Sequence, residues 1–223
     1  MSVALFFQAI AKFLLGVLLI GLLIFLPAGT LCFAKGWLLM GILFIPMFIA
    51  GIIMMLRNPQ LLAKRLDAKE KLKEQGLLIK LSGLMFLAGF VVAGLDFRFG
   101  WLPLPNMVSY IATAVFLVAY LLYGRVLQEN TYLSRTIEVQ AGQKVIDTGL
   151  YGIVRHPMYS VTLLLFLSMP LILGSVYAFV IFLLYPWIII RRIRSEEAFL
   201  ADQLAGYSAY MEKVKYRLIP FLW

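Results

Sequence analysis

Charged residues are scarce in this chain, and cysteine and histidine are almost absent. Only 14% of its 223 residues are charged, whereas 63% are hydrophobic; a soluble domain carries about 25% charged residues. A chain of this length cannot bury so much apolar surface in one soluble core, so we predict an integral membrane protein. The single cysteine, Cys32, excludes an internal disulfide. With one histidine, we expect no metal, because a catalytic zinc usually takes three protein ligands.

Several familiar functional motifs are also missing. The sequence has no glycine-rich turn of the kind that binds dinucleotides or phosphates, and no nucleophile elbow that would favour a serine hydrolase. The net charge of +9 does not indicate nucleic acid, because the Lys and Arg residues lie between apolar runs and do not form a compact basic domain. We therefore predict no nucleic-acid partner.

Long apolar runs predict four membrane-crossing helices in the first part of the chain. Two uncharged runs flank Lys35. Two more apolar runs lie at residues 77–95, with Lys80 near the first end, and at residues 106–123. Each approaches the roughly 20 residues needed to cross a bilayer. The polar segment 57–75 is predicted to be an interfacial helix. We assign residues 1–127 to a transmembrane scaffold of four spans.

A further apolar stretch predicts a short helical hairpin. No charged residue lies between His156 and Ile190, and one helix of that length would extend about 52 Å, too long for a single crossing. Pro170 and Gly174 near the middle predict two short helices, and Pro186 predicts a kink in the second. The expected fold is an all-α, polytopic transmembrane bundle of about six crossing helices.

The distribution of basic residues predicts how the bundle is oriented. With a cytosolic N-terminus, every Lys and Arg except Lys35 and Arg98 falls on the cytosolic side, as the positive-inside rule requires. The loop 125–155 and the charged, helix-forming segment 191–223 then share the cytosolic face. We therefore expect a multi-pass protein with both termini in the cytosol.

Candidate functional residues lie at the two cytosolic ends of the hairpin. His156, between Arg155 and Pro157, could bind a ligand or titrate near neutral pH; the alternative is a surface histidine before a helix that begins at Pro157. Arg192 and Glu196 share a helix face at spacing four. They could form an ordinary ion pair, or they could hold a ligand's diol, ammonium or carboxylate group.

Three segments, in this order, resemble a known family: ENTYLSRTIEVQAGQKVIDTGLYGIVRHPMYSVTLL, RRIRSEEAFL and GYSAYMEKVKYRLIP. The region from Gln128 to Pro220 is similar to the isoprenylcysteine carboxyl methyltransferases and the bacterial phospholipid methyltransferases. The first four spans resemble that family only in being spans. The resemblance implies a methyltransferase region at 128–223, S-adenosylmethionine as cofactor, a lipidic or prenylated acceptor and a prokaryotic cell membrane.

The resemblance also implies the residues of the site. Arg192 and Glu197 would be the catalytic residues, with Arg192 on the acceptor side and Glu197 as a neighbouring acid. Carboxyl O-methylation is the expected reaction, because an acceptor carboxylate is itself the nucleophile, whereas an amine would require a base. Cofactor-binding residues would be Gln143, Lys144, Val145, Ile146, Tyr151, His156, Pro157, Met158, Tyr159 and Glu196.

Three alternatives remain beside this prediction, in addition to a more distant one, a reductase with a similar C-terminal half. The first is an N-methyltransferase that acts on phospholipid amines. The second is a transporter, although the sequence has no internal repeat and no ionisable residue near the middle of a span. The third is a membrane adaptor that has lost catalysis; the presence of His156, Tyr159, Arg192 and Glu196 argues against it.

Overall fold

The computed structural model describes residues 3–66, 73–133, 139–140 and 142–223. These residues form a helical bundle, which confirms the predicted all-α transmembrane architecture. A one-turn 3-10 helix, Gly149–Gly152, precedes the predicted hairpin. The helices are α1 (Val3–Ala28), α2 (Ala34–Arg57), α3 (Pro59–Leu66), α4 (Lys73–Phe99), α5 (Asn106–Glu129), α6 (Pro157–Leu173), α7 (Val176–Phe182), α8 (Leu184–Gln203) and α9 (Tyr207–Lys213).

The described part of the chain contains five helical stretches that are long and apolar enough to cross a membrane. They are α1, α2, α4 from Gln75, α5, and α7 together with α8. Apolar side chains such as Leu121, which is 78% exposed, cover their outer surfaces, as expected of helices that face lipid. With 17 residues, α6 extends only about 25 Å. A sixth crossing therefore stays a prediction, as does the side on which the termini lie.

The short helix α6 lies at the centre of the bundle. It packs against α2, α4, α5, α7 and α8. Apolar side chains lie on all sides of it, which is typical of a buried helix. Buried residues along it include Val161, Leu165, Met169 and Ile172. Whatever lies at either end of α6 is therefore positioned by most of the bundle.

The predicted hairpin is present, and Gly174 forms its turn. This residue has φ +81°, in the left-handed region that favours glycine, and its N–H bonds to the last carbonyls of α6. Ser175 then caps α7 by accepting a hydrogen bond from Ala178 N at 3.2 Å. Pro170 lies inside α6, one turn before its end, so the glycine and not the proline ends the helix.

The second arm of the hairpin is interrupted close to Pro186, where the sequence predicted a kink. The helix is interrupted at Leu183, between α7 and α8. Proline has no N–H, and its ring collides with the carbonyl four residues earlier, here that of Phe182. After this break α8 continues well beyond Ile190 to Gln203, so its polar end projects past the apolar part of the bundle.

The third span extends further than its apolar run predicted. The predicted run ended at residue 95, but α4 continues to Phe99 and buries Asp96. The carboxylate can be buried there because it accepts hydrogen bonds from Ser175 Oγ at 2.5 Å and from Leu102 N at 3.3 Å. The helix ends at Gly100, which has φ +60°.

Helix α3 confirms part of the predicted interfacial helix. It covers Pro59–Leu66, with Leu61 and Leu62 buried against the bundle. Lys12 of α1 donates a hydrogen bond to Leu66 O at 2.6 Å. Residues 67–72 of the prediction lie outside the described residues, and residues 73–75 belong to α4 instead.

Helices α1 and α4 approach each other closely at Gly94. A Cβ atom at this position would lie 2.5 Å from the carbonyl oxygen of Ile24 and 3.1 Å from Ala28 N. Backbone atoms cannot move aside as a flexible side chain can. The contact therefore requires glycine.

We predict that Gly94→Ala lowers the thermal unfolding midpoint of the purified protein. The added methyl group would push α1 from α4, and overpacking of this kind costs about 1–3 kcal/mol. Gly83→Ala in the same helix is the matched control, because no atom lies within 4 Å of its Cβ position. Equal midpoints for the two variants would contradict the close contact.

Candidate functional site

The two arms of the hairpin return to the same end of the bundle. His156 is the residue before α6, and Pro157 occupies the first helical position, as the sequence predicted. His156 is only 5% exposed, so it is not the surface histidine of the alternative interpretation. The polar end of α8 lies beside it.

Tyr159 joins the beginning of α6 to the polar end of α8. Its hydroxyl donates a hydrogen bond to Glu196 Oε2 at 2.6 Å and accepts one from Arg192 Nε at 2.8 Å. Arg192 and Glu196 lie on one face of α8, as their spacing predicted. A guanidinium and a carboxylate are thus held on either side of one phenol group.

Glu197, the next residue, is the centre of a buried ionic network. Its Oε1 accepts a hydrogen bond from Arg155 Nε at 2.7 Å and lies 3.2 Å from His156 Nε2. Its Oε2 accepts one from Arg217 Nε at 2.7 Å. The side chains of Arg155 and Glu197 are each 6% exposed. Charges buried this deeply are tolerated only when they are paired and hydrogen-bonded.

A C-terminal strap, residues 214–218, lies against the Arg155-His156 dipeptide. It supplies carbonyl groups to both residues of the dipeptide and to the first turn of α6, so it fixes the entry into the hairpin. The hydrogen bonds are Arg155 N to Tyr216 O (2.8 Å), His156 N to Arg217 O (2.9 Å), Arg155 Nη1 to Val214 O (2.6 Å) and to Lys215 O (3.0 Å), and Ser160 Oγ to Leu218 O (2.6 Å).

The turn that carries Tyr151 is held by the last residue of α5. Glu129 Oε2 accepts a hydrogen bond from Leu150 N at 2.8 Å. Gly149 has φ +59°, and a Cβ atom there would collide with the Glu129 carboxylate. The turn therefore needs a glycine for both its backbone conformation and its close approach to α5.

Three tyrosines form a buried group beside the network. Tyr210 donates a hydrogen bond to Tyr151 O at 2.7 Å. The hydroxyl of Tyr207 is buried without a partner among the described residues, and that of Tyr151 lies near Asn130 without reaching hydrogen-bond geometry. Burial raises the pKa of both phenols, so both remain O–H donors. An unpaired buried hydroxyl costs about 1–3 kcal/mol, which a ligand could offset.

The remaining residues that were predicted to bind the cofactor lie around the site, and they form fewer contacts with it. Val145 packs with Tyr207 near α9, and Ile146 and Met158 pack against the main core. Gln143 Oε1 accepts a hydrogen bond from Gln140 N at 2.9 Å, a contact within its own loop. Pro157 is buried, and Lys144 is exposed. No contact of the described residues connects Gln143 or Lys144 with Tyr159.

Sequence reasoning did not single out three residues that the structure places at the site. Arg217 completes the network around Glu197, Tyr207 contributes an unpaired hydroxyl, and Glu129 holds the turn of Tyr151. All three lie in segments quoted for the resemblance. No spacing pattern pairs them with residues so far away along the chain.

Comparison with known protein families gives one further observation. Residues 111–202 match the isoprenylcysteine carboxyl methyltransferase (ICMT) family. The resemblance predicted from the sequence is therefore confirmed for these residues. The ICMT match covers about two fifths of the chain, from α5 to the polar end of α8, and supports a membrane methyltransferase. Tyr207 and the C-terminal strap lie beyond it.

The ionic network around Glu197 predicts that removal of this carboxylate destabilises the protein. Glu197→Ala leaves Arg155 buried without its anion, and breaking a buried pair in this way costs about 3–5 kcal/mol. We expect a lower unfolding midpoint and faster tryptic cleavage after Lys215 in the strap. Glu212→Ala, on the exposed face of α9, should leave both properties unchanged. Equal protease resistance of the two variants would show that Glu197 does not hold the strap.

Proposed function

We propose that this protein transfers a methyl group from S-adenosylmethionine to the carboxylate of a lipidic or isoprenylated acceptor. The observation that carries the proposal is the Tyr159 hydroxyl bound between Arg192 and Glu196 at the mouth of the hairpin. These residues lie inside the region that matches the ICMT family. A water-soluble donor and a membrane-borne acceptor would both reach a site at this boundary.

The residues present fit the proposed cofactor. The buried, unpaired hydroxyl of Tyr207 and that of Tyr151 can donate to a ligand, and the Glu196 carboxylate can accept from a ribose diol or an ammonium group. We propose that these groups hold the cofactor together with the predicted residues at 143–146 and 156–159. When bound, S-adenosylmethionine supplies a methyl group on a sulfonium, which is a good leaving group.

Arg192 is proposed to orient the acceptor. A guanidinium can bind a carboxylate through two parallel hydrogen bonds. A carboxylate is ionised at neutral pH and is the nucleophile itself, so the site needs no general base for this acceptor. The contribution of the protein is then alignment, since methyl transfer is an in-line displacement that is accelerated by correct positioning of the two reactants.

For Glu197 the geometry supports a positioning role in place of the catalytic role expected from the sequence. Both of its oxygens accept hydrogen bonds from arginines, and one also contacts His156. We propose that Glu197 fixes His156 and the strap and does not itself touch the acceptor.

The chemical bond that attaches the transferred methyl group to its acceptor distinguishes carboxyl methylation from amine methylation. We expect purified protein, incubated with a methyl-labelled donor and a farnesylated cysteine derivative, to produce a methyl ester. Mild alkali hydrolyses such an ester and releases labelled, volatile methanol. Label that survives alkali in a phospholipid amine would contradict carboxyl methylation and favour the N-methyltransferase alternative.

Single substitutions test whether Glu196 binds the methyl donor and Arg192 orients the acceptor. Glu196→Gln should weaken donor binding about 10- to 100-fold, because a hydrogen bond to a charged group contributes about 1.5–3 kcal/mol. Arg192→Ala should leave donor binding within a few-fold and reduce kcat strongly. Calorimetric titration and turnover measurements separate the two effects.

Arg191→Ala is the matched control, because this neighbouring arginine is exposed and lies over Trp187. It should change neither donor binding nor kcat. Equal loss of donor affinity in the Arg192 and Glu196 variants would refute the division.

A further inference from the structure

A cavity lies at the opposite end of α6 from the candidate site. It encloses about 300 Å³ between the beginning of α2, the end of α4 and the turn between α6 and α7. Its lining is mainly apolar, with three polar side chains, those of Lys35, Asp96 and Ser175. The 17 residues of α6 separate the two ends by about 25 Å. The cavity is therefore distinct from the proposed methyl-transfer site.

Lys35 brings an unpaired positive charge to this cavity. Its Nζ lies so close to the turn that a Cβ atom at Gly174 would be 2.8 Å away. Among the described residues, no acceptor lies within hydrogen-bond or ion-pair distance of the ammonium, which is only half-buried. The end of the α6 dipole attracts a cation there but supplies no direct ligand. The ammonium is thus available to an anion in the cavity.

Asp96 brings a negative group to the same cavity. The residue is 4% exposed, and each carboxylate oxygen accepts one hydrogen bond, from Ser175 Oγ and from Leu102 N. An ionised carboxylate offers about four acceptor positions, so part of its capacity remains. Asp96 and Lys35 line one cavity but form no ion pair. The cavity therefore presents a separated cation and anion.

Aromatic side chains around this end of the bundle indicate its depth in the membrane. Trp37, Trp101 and Tyr177 are each about half exposed, and the rings of Trp101 and Tyr177 contact edge to face at 5.6 Å. Tryptophan and tyrosine are enriched at the level of lipid headgroups. A ligand from the membrane would reach the cavity at the same level.

We propose that this cavity binds the headgroup of a zwitterionic lipid that carries a phosphate and a primary ammonium group. Lys35 pairs with the phosphate, and Asp96 accepts a hydrogen bond from the ammonium. Such a headgroup matches the separated charges of the cavity, whereas a purely anionic headgroup would face the Asp96 carboxylate. The bound lipid is not the methyl acceptor, because it lies at the other end of α6.

Native mass spectrometry of the detergent-purified protein tests the proposal. The probes are phosphatidylethanolamine, phosphatidylglycerol and water-soluble phosphoethanolamine. We expect the wild-type protein to retain phosphatidylethanolamine in preference to phosphatidylglycerol. Lys35→Gln should reduce that retention at least tenfold.

Arg98→Gln is the matched control. It removes a positive charge at the same end of the bundle, but Arg98 is exposed, lies over the Phe99 ring and does not line the cavity. It should retain the lipid as the wild type does. Lys35 is half-exposed, so its substitution should leave the folded bundle intact, which the unfolding midpoint verifies.

The three probes separate the possible sources of the ligand. Binding of free phosphoethanolamine as tight as that of the lipid would support the same charge pair with a soluble zwitterion as its ligand. Equal loss of lipid in the Lys35 and Arg98 variants would overturn the proposal. Retention of phosphatidylglycerol at least equal to that of phosphatidylethanolamine would also overturn it, because Asp96 would then make no contribution.

Discussion

The buried carboxylate of Glu197 is the interaction on which the candidate site depends. It joins Arg155 in front of α6, its own helix α8, and Arg217 in the C-terminal strap, three parts of the chain that are distant in sequence. A buried carboxylate is unstable without such partners. The two ends of the hairpin must therefore stay together, and Tyr159 can bridge Arg192 and Glu196 only in that arrangement.

The features that could be predicted from the sequence are those that depend on residues close together along the chain. Apolar length predicted the spans, and the left-handed turn at Gly174 and the break before Pro186 follow from the backbone chemistry of glycine and proline. The end of α4 was missed, because Asp96 is buried through a hydrogen bond to Ser175, 79 residues away in the chain. A contact across that separation leaves no trace in the pattern around Asp96.

The same limit applies to the site. Helical spacing was enough to place Arg192 beside Glu196, and the family resemblance singled out His156 and Tyr159. The role of Arg217 was not visible, because it arises only when the strap returns to the hairpin. The bundle thus fixes both ends of the short helix α6. A methyltransferase site at the boundary of water and lipid would lie at the end of α6 that carries His156 and Tyr159.

Binding of S-adenosylmethionine to the purified wild-type protein is the most direct test of the central claim. We expect calorimetric titration in detergent to detect saturable binding at micromolar concentrations, with one site per chain and competition from the demethylated product. The absence of any binding at high micromolar donor, in protein whose unfolding transition shows that it is folded, would contradict it.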